Sequence, residues 1–274
     1  MELIIKAIII GIVEGITEFL PVSSTGHMII VGDFINFKGA FANLFEIVIQ
    51  LGAILAIVVL YHKRIFNSFC NLAPGKPGFI FWKNILTAFL PAAVLGFLFK
   101  DFIDAYLFNT LTVASALIIG GVLLYVMEKK YQFQRHTTIE KMTSKEALII
   151  GCFQCLALCP GMSRSSSTII GAWVGGLSNV AAAEFSFFLA LPTMIAASGY
   201  SLLKTDLVLS GLEIGALITG FIVSFIVALI VVDSFVSYLK KKFNCEVISK
   251  SNIVVDNSIL KLLPDDFIEK CRSW

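Results

Sequence analysis

Charge is what this sequence has least of. Asp, Glu, Lys and Arg make up 15% of its 274 residues, against roughly 25% in an ordinary soluble domain. With a mean hydropathy of +0.88 there are too few polar groups to coat a water-soluble particle, so lipid must be the solvent for most of the surface. A disordered chain, a secreted disulfide scaffold and a nucleic-acid binder are excluded together. The net charge of +2 offers no field for a polyanion, and the basic residues cluster between apolar stretches, where they set topology. The N-terminus runs Met1-Glu2-Leu3 into an apolar stretch without a charged leader or a small-residue cleavage site, so no cleaved signal peptide is expected. The six cysteines include Cys152-x-x-Cys155, but no second pair stands at a ligand spacing, and the run around it reads as small buried apolar residues.

What the sequence has instead is long apolar runs. Leu44 to Leu60, Asn84 to Phe99, Leu111 to Met127, Ala181 to Leu203 and Ile214 to Val232 each come near the ~20 residues that cross a bilayer as helix. The expected fold class is therefore an all-α, multi-pass integral membrane protein with five transmembrane helices. The Tyr61–Lys83 segment carries Lys63, Arg64, Lys76 and Lys83 without an acid, and the Glu128–Glu146 segment carries Lys129, Lys130, Arg135, Lys141 and Lys145; both are expected on the cytoplasmic side. The Lys100–Thr110 and Lys204–Glu213 segments, each with one lysine and two acids, are expected outside.

Two further apolar regions break in the middle. Ile4 to Ile30 is interrupted by Glu14, Glu18, Pro21 and the cluster Ser23-Ser24-Thr25-Gly26-His27; Ala147 to Gly176 is interrupted by Pro160-Gly161-Met162-Ser163-Arg164-Ser165 and further hydroxyls. A pair of re-entrant half-helices in each is the expectation, with the breaks lining a cavity, because non-helical backbone at membrane depth needs protein or trapped water to satisfy it. The two regions also match each other at an offset of 138 to 140 residues: Gly11-x-x-Glu14 with Gly151-x-x-Gln154, Pro21-x-Ser23-Ser24 with Pro160-x-x-Ser163, Phe45-Glu46 with Ala183-Glu184. By the charge rule the halves are inverted, an arrangement known from secondary transporters. One polytopic domain over 1–232 is expected, with repeat 1 over about 1–127, repeat 2 over about 147–232, and a polar tail over 233–274.

The scarce charges inside these apolar stretches are the candidates for chemistry, since an ionisable group at membrane depth is costly. Glu14 and Glu18, four apart on helix, share one face. Two acids so placed serve as a divalent-cation site, as a coupled acid–base pair, or as structural partners of an arginine. Ser23, Ser24 and Thr25 are the small hydroxyl residues expected at a helix N-terminus, where free N–H groups favour an anion. In the other half, Ser163-Arg164-Ser165 and the hydroxyls after it form the usual means of holding phosphate, an arginine fork with hydroxyl and backbone donors. The anionic partner of Arg164 is either a phosphate or one of the two glutamates. The set suits phosphoryl transfer from a lipid phosphate.

At these residues the sequence closely resembles the bacterial undecaprenyl-diphosphate phosphatase family, also called the bacitracin-resistance family. Glu14-Gly15-Ile16-Thr17-Glu18-Phe19-Leu20-Pro21-Val22-Ser23-Ser24-Thr25-Gly26-His27 reads as its first signature. Gly151 to Ser165 reads as the second, and Ala183-Glu184-Phe185-Ser186-Phe187 fits as well. The resemblance, which runs from about Leu3 to Val232, implies hydrolysis of the C55 polyprenyl diphosphate to the monophosphate and inorganic phosphate, recycling the carrier for envelope polymers and conferring bacitracin resistance. It implies a bacterial inner-membrane location, a divalent cation (Mg²⁺ or Ca²⁺) held by Glu14 and Glu18, and a polyprenyl diphosphate lipid as partner. A homodimer is a further expectation; a nucleic acid is not. Carried over by position, Glu14 and Glu18 become the acidic pair, Ser24 the nucleophile, His27 a proton-transfer or alternative nucleophilic group and Arg164 the phosphate clamp. Ser23, Thr25, Ser163 and Ser165 become accessory phosphate ligands.

The chain departs from the family pattern at its end, where an apolar sixth span is expected and Lys240-Lys241-Lys242 and a polar stretch stand instead. A polyprenyl-phosphate transporter is the alternative function, favoured by the inverted repeat. A membrane protein whose acids and arginine only pair internally is a third. Lipid phosphatases of the type 2 phosphatidic-acid superfamily are disfavoured, because their signature motifs are absent.

Overall fold

The structure, a computed structural model, describes residues 1–107, 110–131, 136–204 and 208–250. Parts of the two segments expected outside, Arg135, and the tail beyond Lys250 lie outside the described residues.

Eleven helices make up the described chain: α1 (Glu2–Thr17), α2 (Ser24–Phe34), α3 (Ala40–Leu60), α4 (His62–Cys70), α5 (Pro77–Leu98), α6 (Lys100–Tyr106), α7 (Thr110–Lys130), α8 (Ser144–Gln154), α9 (Arg164–Val174), α10 (Asn179–Leu203) and α11 (Gly211–Lys250). Short 3₁₀ turns sit at Ile139–Lys141 and Cys155–Leu158, and no strand occurs among the described residues. Five helices, α3, α5, α7, α10 and α11, are long and apolar enough to cross a membrane. They are the five that the apolar runs predict, with displaced ends. Helix α5 starts at Pro77 rather than Asn84: proline at the first helical position is preset for the helix, and a helix whose hydrogen bonds are internal does not stop where apolarity does. Helix α11 likewise does not stop at Val232. It continues through Lys240-Lys241-Lys242 to Lys250, burying Val236 and bringing Lys242 Nζ within 3.4 Å of Glu128 at the end of α7.

Both broken regions form helix–break–helix hairpins. Residues 18–23 separate α1 from α2; the Cys155–Leu158 turn and residues 159–163 separate α8 from α9. None of these four helices has the ~20 residues of a typical bilayer crossing; α1, the longest, has 16. Each is fixed by close packing against a long helix. Helix α11 runs against α1 and α3, and α8 is held between α5 and α9. Contact between α1 and α11 requires glycine at Gly15, where a Cβ would stand 2.8 Å from the Ser224 carbonyl oxygen; small residues let helix backbones approach in this way. Ser224 Oγ in turn donates to the Ile49 carbonyl on α3 at 2.9 Å.

The core centres on Phe19, Phe81, Phe185, Phe187 and Phe188, all buried. Phe19, in the first break, meets Phe187 of α10 edge to face with ring centroids 5.4 Å apart. On the opposite, outward surface, Ile118, Ile119 and Val122 of α7 are 69%, 61% and 59% exposed, as a lipid-facing stripe requires. Away from the hairpins, Arg64 of α4 donates to Glu184 Oε2 at 2.5 Å and Glu140 Oε1 at 2.7 Å. Its guanidinium lies over the Phe188 and Phe81 rings at 5.2 and 5.7 Å. Burial works against this charge, and the hydrogen bonds and proximity of Glu140 and Glu184 outweigh it, so its pKa is raised. Thus a basic segment is tied to the start of α10.

Candidate active site

The two breaks meet. Ser165 Oγ donates to the Leu20 carbonyl and Ser166 Oγ to the Pro21 carbonyl, both at 2.7 Å. Two hydroxyls of the α9 first turn therefore satisfy backbone oxygens of the first break, which has no helical partners for them. Ser167 Oγ donates to the Ser163 carbonyl at 2.9 Å, and Thr168 Oγ1 lies 2.7 Å from Ser186 Oγ. Ser165 and Ser166 thus hold the hairpin tips together, while Ser167 bonds back within α9 and Thr168 reaches α10.

Glu18 sits at the junction with only 5% of its side chain exposed. Its two oxygens are divided: Oε1 accepts from Arg164 at 2.7 Å, and Oε2 accepts from Ser24 Oγ at 2.6 Å. Arg164 also donates to the Ser186 carbonyl at 3.0 Å and lies 3.8 Å from Met194 Sδ, which fixes its guanidinium between α1 and α10. Losing either member of such a buried pair is expected to cost about 3–5 kcal/mol, because an uncompensated charge is left behind. Ser24 and Arg164 are the first residues of α2 and α9, so two helix N-termini, each with N–H groups that lack intrahelical partners, open at the same place. Ser23, immediately before α2, adopts φ 67°, an uncommon conformation for a residue with a Cβ and one that costs about 1–3 kcal/mol. The clamps on Leu20 and Pro21 hold the chain on its way into that conformation.

A cavity of about 560 Å³ opens on this junction. Its wall carries Glu18, Ser23, Ser24, Thr25, Ser163 and Arg164 from the predicted set, with apolar residues such as Phe89, Phe97 and Leu158 beyond them. Glu14, His27 and Ser165 do not line it. Glu14, one turn before Glu18, is fully buried, and neither carboxylate oxygen has a hydrogen-bond partner among the described residues. His27 Nδ1 lies 2.8 Å from the Ser23 carbonyl; a carbonyl only accepts, so Nδ1 carries a proton. Ser163 Oγ caps α9 by accepting from the Ser166 N–H at 3.1 Å. Sequence reasoning did not single out Ser186 or Gln154 as site residues. Ser186 holds Arg164 through its backbone carbonyl, for which side-chain identity gives no signal, and meets Thr168 through its hydroxyl; Gln154, which also lines the cavity, stands opposite Glu14 in the internal repeat.

The family model described as Bacitracin resistance protein BacA matches residues 7–246. The chain belongs to this family. Its BacA relatives include a Clostridium tetani protein named undecaprenyl-diphosphatase, 54% identical over 244 residues that cover 88% of this chain and 90% of the relative. Proteins of the same name from Thermoanaerobacter pseudethanolicus and Clostridium novyi are 56% and 58% identical, over 88% and 87% of this chain and 90% and 88% of theirs. The BacA match contains every residue of the junction. Together with the five apolar helices, it makes this a multi-pass membrane protein.

Proposed function

We propose that the chain is an undecaprenyl-diphosphate phosphatase, which hydrolyses the C55 polyprenyl diphosphate to the monophosphate and inorganic phosphate in the bacterial inner membrane, recycling the carrier and conferring bacitracin resistance. The observation that carries this reading is the Ser24–Glu18–Arg164 chain of hydrogen bonds on the cavity wall, in a protein more than half identical to relatives of that name.

In this reading Ser24 is the nucleophile and Glu18 its base. Ser24 Oγ attacks the terminal phosphorus while its proton passes to Glu18 Oε2. The new Oγ–P bond forms as the bond from phosphorus to the bridging oxygen breaks, and the lipid monophosphate leaves. Water then attacks the phosphoserine, giving its proton to a carboxylate, and Ser24 recovers its own proton as inorganic phosphate departs. Arg164 uses further N–H groups of its five-donor fork on the phosphoryl oxygens. The N-termini of α2 and α9 add backbone donors. Thr25 and Ser163 supply hydroxyls from the wall, and Ser23 and Ser165 shape it. His27, one turn along α2 from Ser24 and off the cavity wall, is read as a proton-transfer group rather than a phosphate ligand. The apolar part of the wall accepts the first prenyl units.

A divalent cation, Mg²⁺ or Ca²⁺, would be held by Glu14, whose two buried oxygens have no partners among the described residues, with Glu18 one turn away. Glu14 does not line the cavity, so the ion would neutralise the carboxylate pair and is given no step at the phosphate. The two hairpins are read as re-entrant halves of an inverted-topology repeat, and that architecture favours a second reading, a polyprenyl-phosphate transporter. Release of phosphate from polyprenyl diphosphate by the purified protein, with and without chelator, decides between them, since a transporter alone releases none. A homodimer is compatible with either reading.

A further inference from the structure

Gln154, the last residue of α8, stands on the wall of the same cavity and is only 1% exposed. Its amide is almost unsupported. Nε2 has no hydrogen-bond partner among the described residues. Oε1 lies 3.4 Å from the Thr193 hydroxyl, whose one proton goes to the Leu189 carbonyl at 2.8 Å, so Oε1 too lacks a strong donor. A buried amide donor left without an acceptor is uncommon in a folded protein, and in a wall facing a cavity it marks where an acceptor is to arrive. The acceptor must be anionic or strongly polar: Arg164 on the same wall contributes a cation, and both helix N-termini point their N–H ends into the junction.

We infer that Gln154 is a substrate-binding residue whose Nε2 donates to a phosphoryl oxygen of the prenyl diphosphate, alongside Arg164. This rests on the phosphatase reading and sharpens it. The internal repeat then has a division of labour. At matching positions the first half carries Glu14 and the second Gln154, so a carboxylate that takes a proton or cation in the first half is replaced in the second by an amide that can donate to the anion beside Arg164. A glutamate at 154 would set a negative charge against the diphosphate.

The test uses purified full-length protein with Gln154→Met, which keeps the shape and removes the donor, and Gln154→Glu. Steady-state phosphate release from farnesyl diphosphate is read with calorimetric binding of the same compound and a thermal unfolding scan. One hydrogen bond to a charged partner corresponds to a loss of roughly ten- to hundred-fold in affinity, so Gln154→Met should raise KM and Kd by that factor with kcat and the pH profile unchanged. The unfolding temperature should not fall, because an unsatisfied buried donor has been removed. Gln154→Glu should bind more weakly still. Unchanged Kd in Gln154→Met, or lowered thermal stability with unchanged Kd, would overturn the inference and leave Gln154 a packing residue. A Gln154→Glu protein that binds as well as wild type and needs less Mg²⁺ would overturn it in favour of a cation ligand. If the unaltered protein binds farnesyl diphosphate but releases no phosphate, the phosphatase reading fails while the Kd comparison still decides the role of Gln154.

Discussion

Glu18→Gln isolates the proposed base with little change of shape. In the structure each carboxylate oxygen has its own donor, Arg164 at 2.7 Å and Ser24 at 2.6 Å. An amide can satisfy only one of them as acceptor. The charged donor wins, so the amide oxygen turns to Arg164 and the amide nitrogen faces Ser24, donating to Oγ instead of accepting from it. The serine proton then has no acceptor. Loss of general-base assistance should lower kcat by roughly 10²–10⁴-fold. Arg164 keeps an oxygen partner but loses its counter-charge, so the variant should be less stable by up to about 3–5 kcal/mol, a loss that the unfolding scan separates from loss of the base. The assay is phosphate release from farnesyl diphosphate in detergent, beside thermal unfolding of the same preparation. Turnover within about ten-fold of wild type, below the smallest effect expected of a lost base, would refute the assignment of Glu18.

Two other substitutions separate charge from scaffold. Arg164→Ala leaves Glu18 buried with an uncompensated charge and should destabilise the protein by about 3–5 kcal/mol while abolishing phosphate release; a stable, active Arg164→Ala protein would contradict the clamp. Ser166→Ala orphans the Pro21 carbonyl and should cost about 1–3 kcal/mol in denaturant unfolding. It should also lower kcat more than it alters KM, because it loosens the strained approach to Ser24 rather than removing a cavity contact.

The parts of the fold governed by solvent were legible in the residues. Apolar runs marked all five long helices, because a bilayer selects length and apolarity directly, and α7 differs from its run by only a few residues at each end. Where the rule is about hydrogen bonding instead, the runs misled: Pro77 to Lys83 belongs to α5 although it carries charge, and α11 passes through the lysines at 240–242. The short helices α4 and α6 left no apolar signature to find. At the junction, Glu18 and Arg164 are 146 residues apart in sequence; the need of a buried arginine for an anion named the glutamates as possible partners, and the internal repeat hinted that the two breaks meet. The residues around them were harder to read for a specific reason. Ser165 and Ser166 act on carbonyls, and Ser186 acts through one, so the partners are backbone atoms that every residue carries. Counting hydroxyls near an arginine suggested phosphate ligands; geometry spends those of Ser165 and Ser166 on the clamp between the breaks and that of Ser167 on its own helix. The amide of Gln154 was visible as the counterpart of Glu14, but its missing partner is a property of packing alone.

The central claim is that the Glu18–Ser24–Arg164 junction cleaves a prenyl diphosphate. It is tested most directly by phosphate release from C55 polyprenyl diphosphate, comparing the purified protein with its Ser24→Ala variant. The account predicts release by the unaltered protein, one phosphate for each lipid monophosphate formed, and none above background by Ser24→Ala. No release by the unaltered protein, or robust turnover by Ser24→Ala, would contradict it.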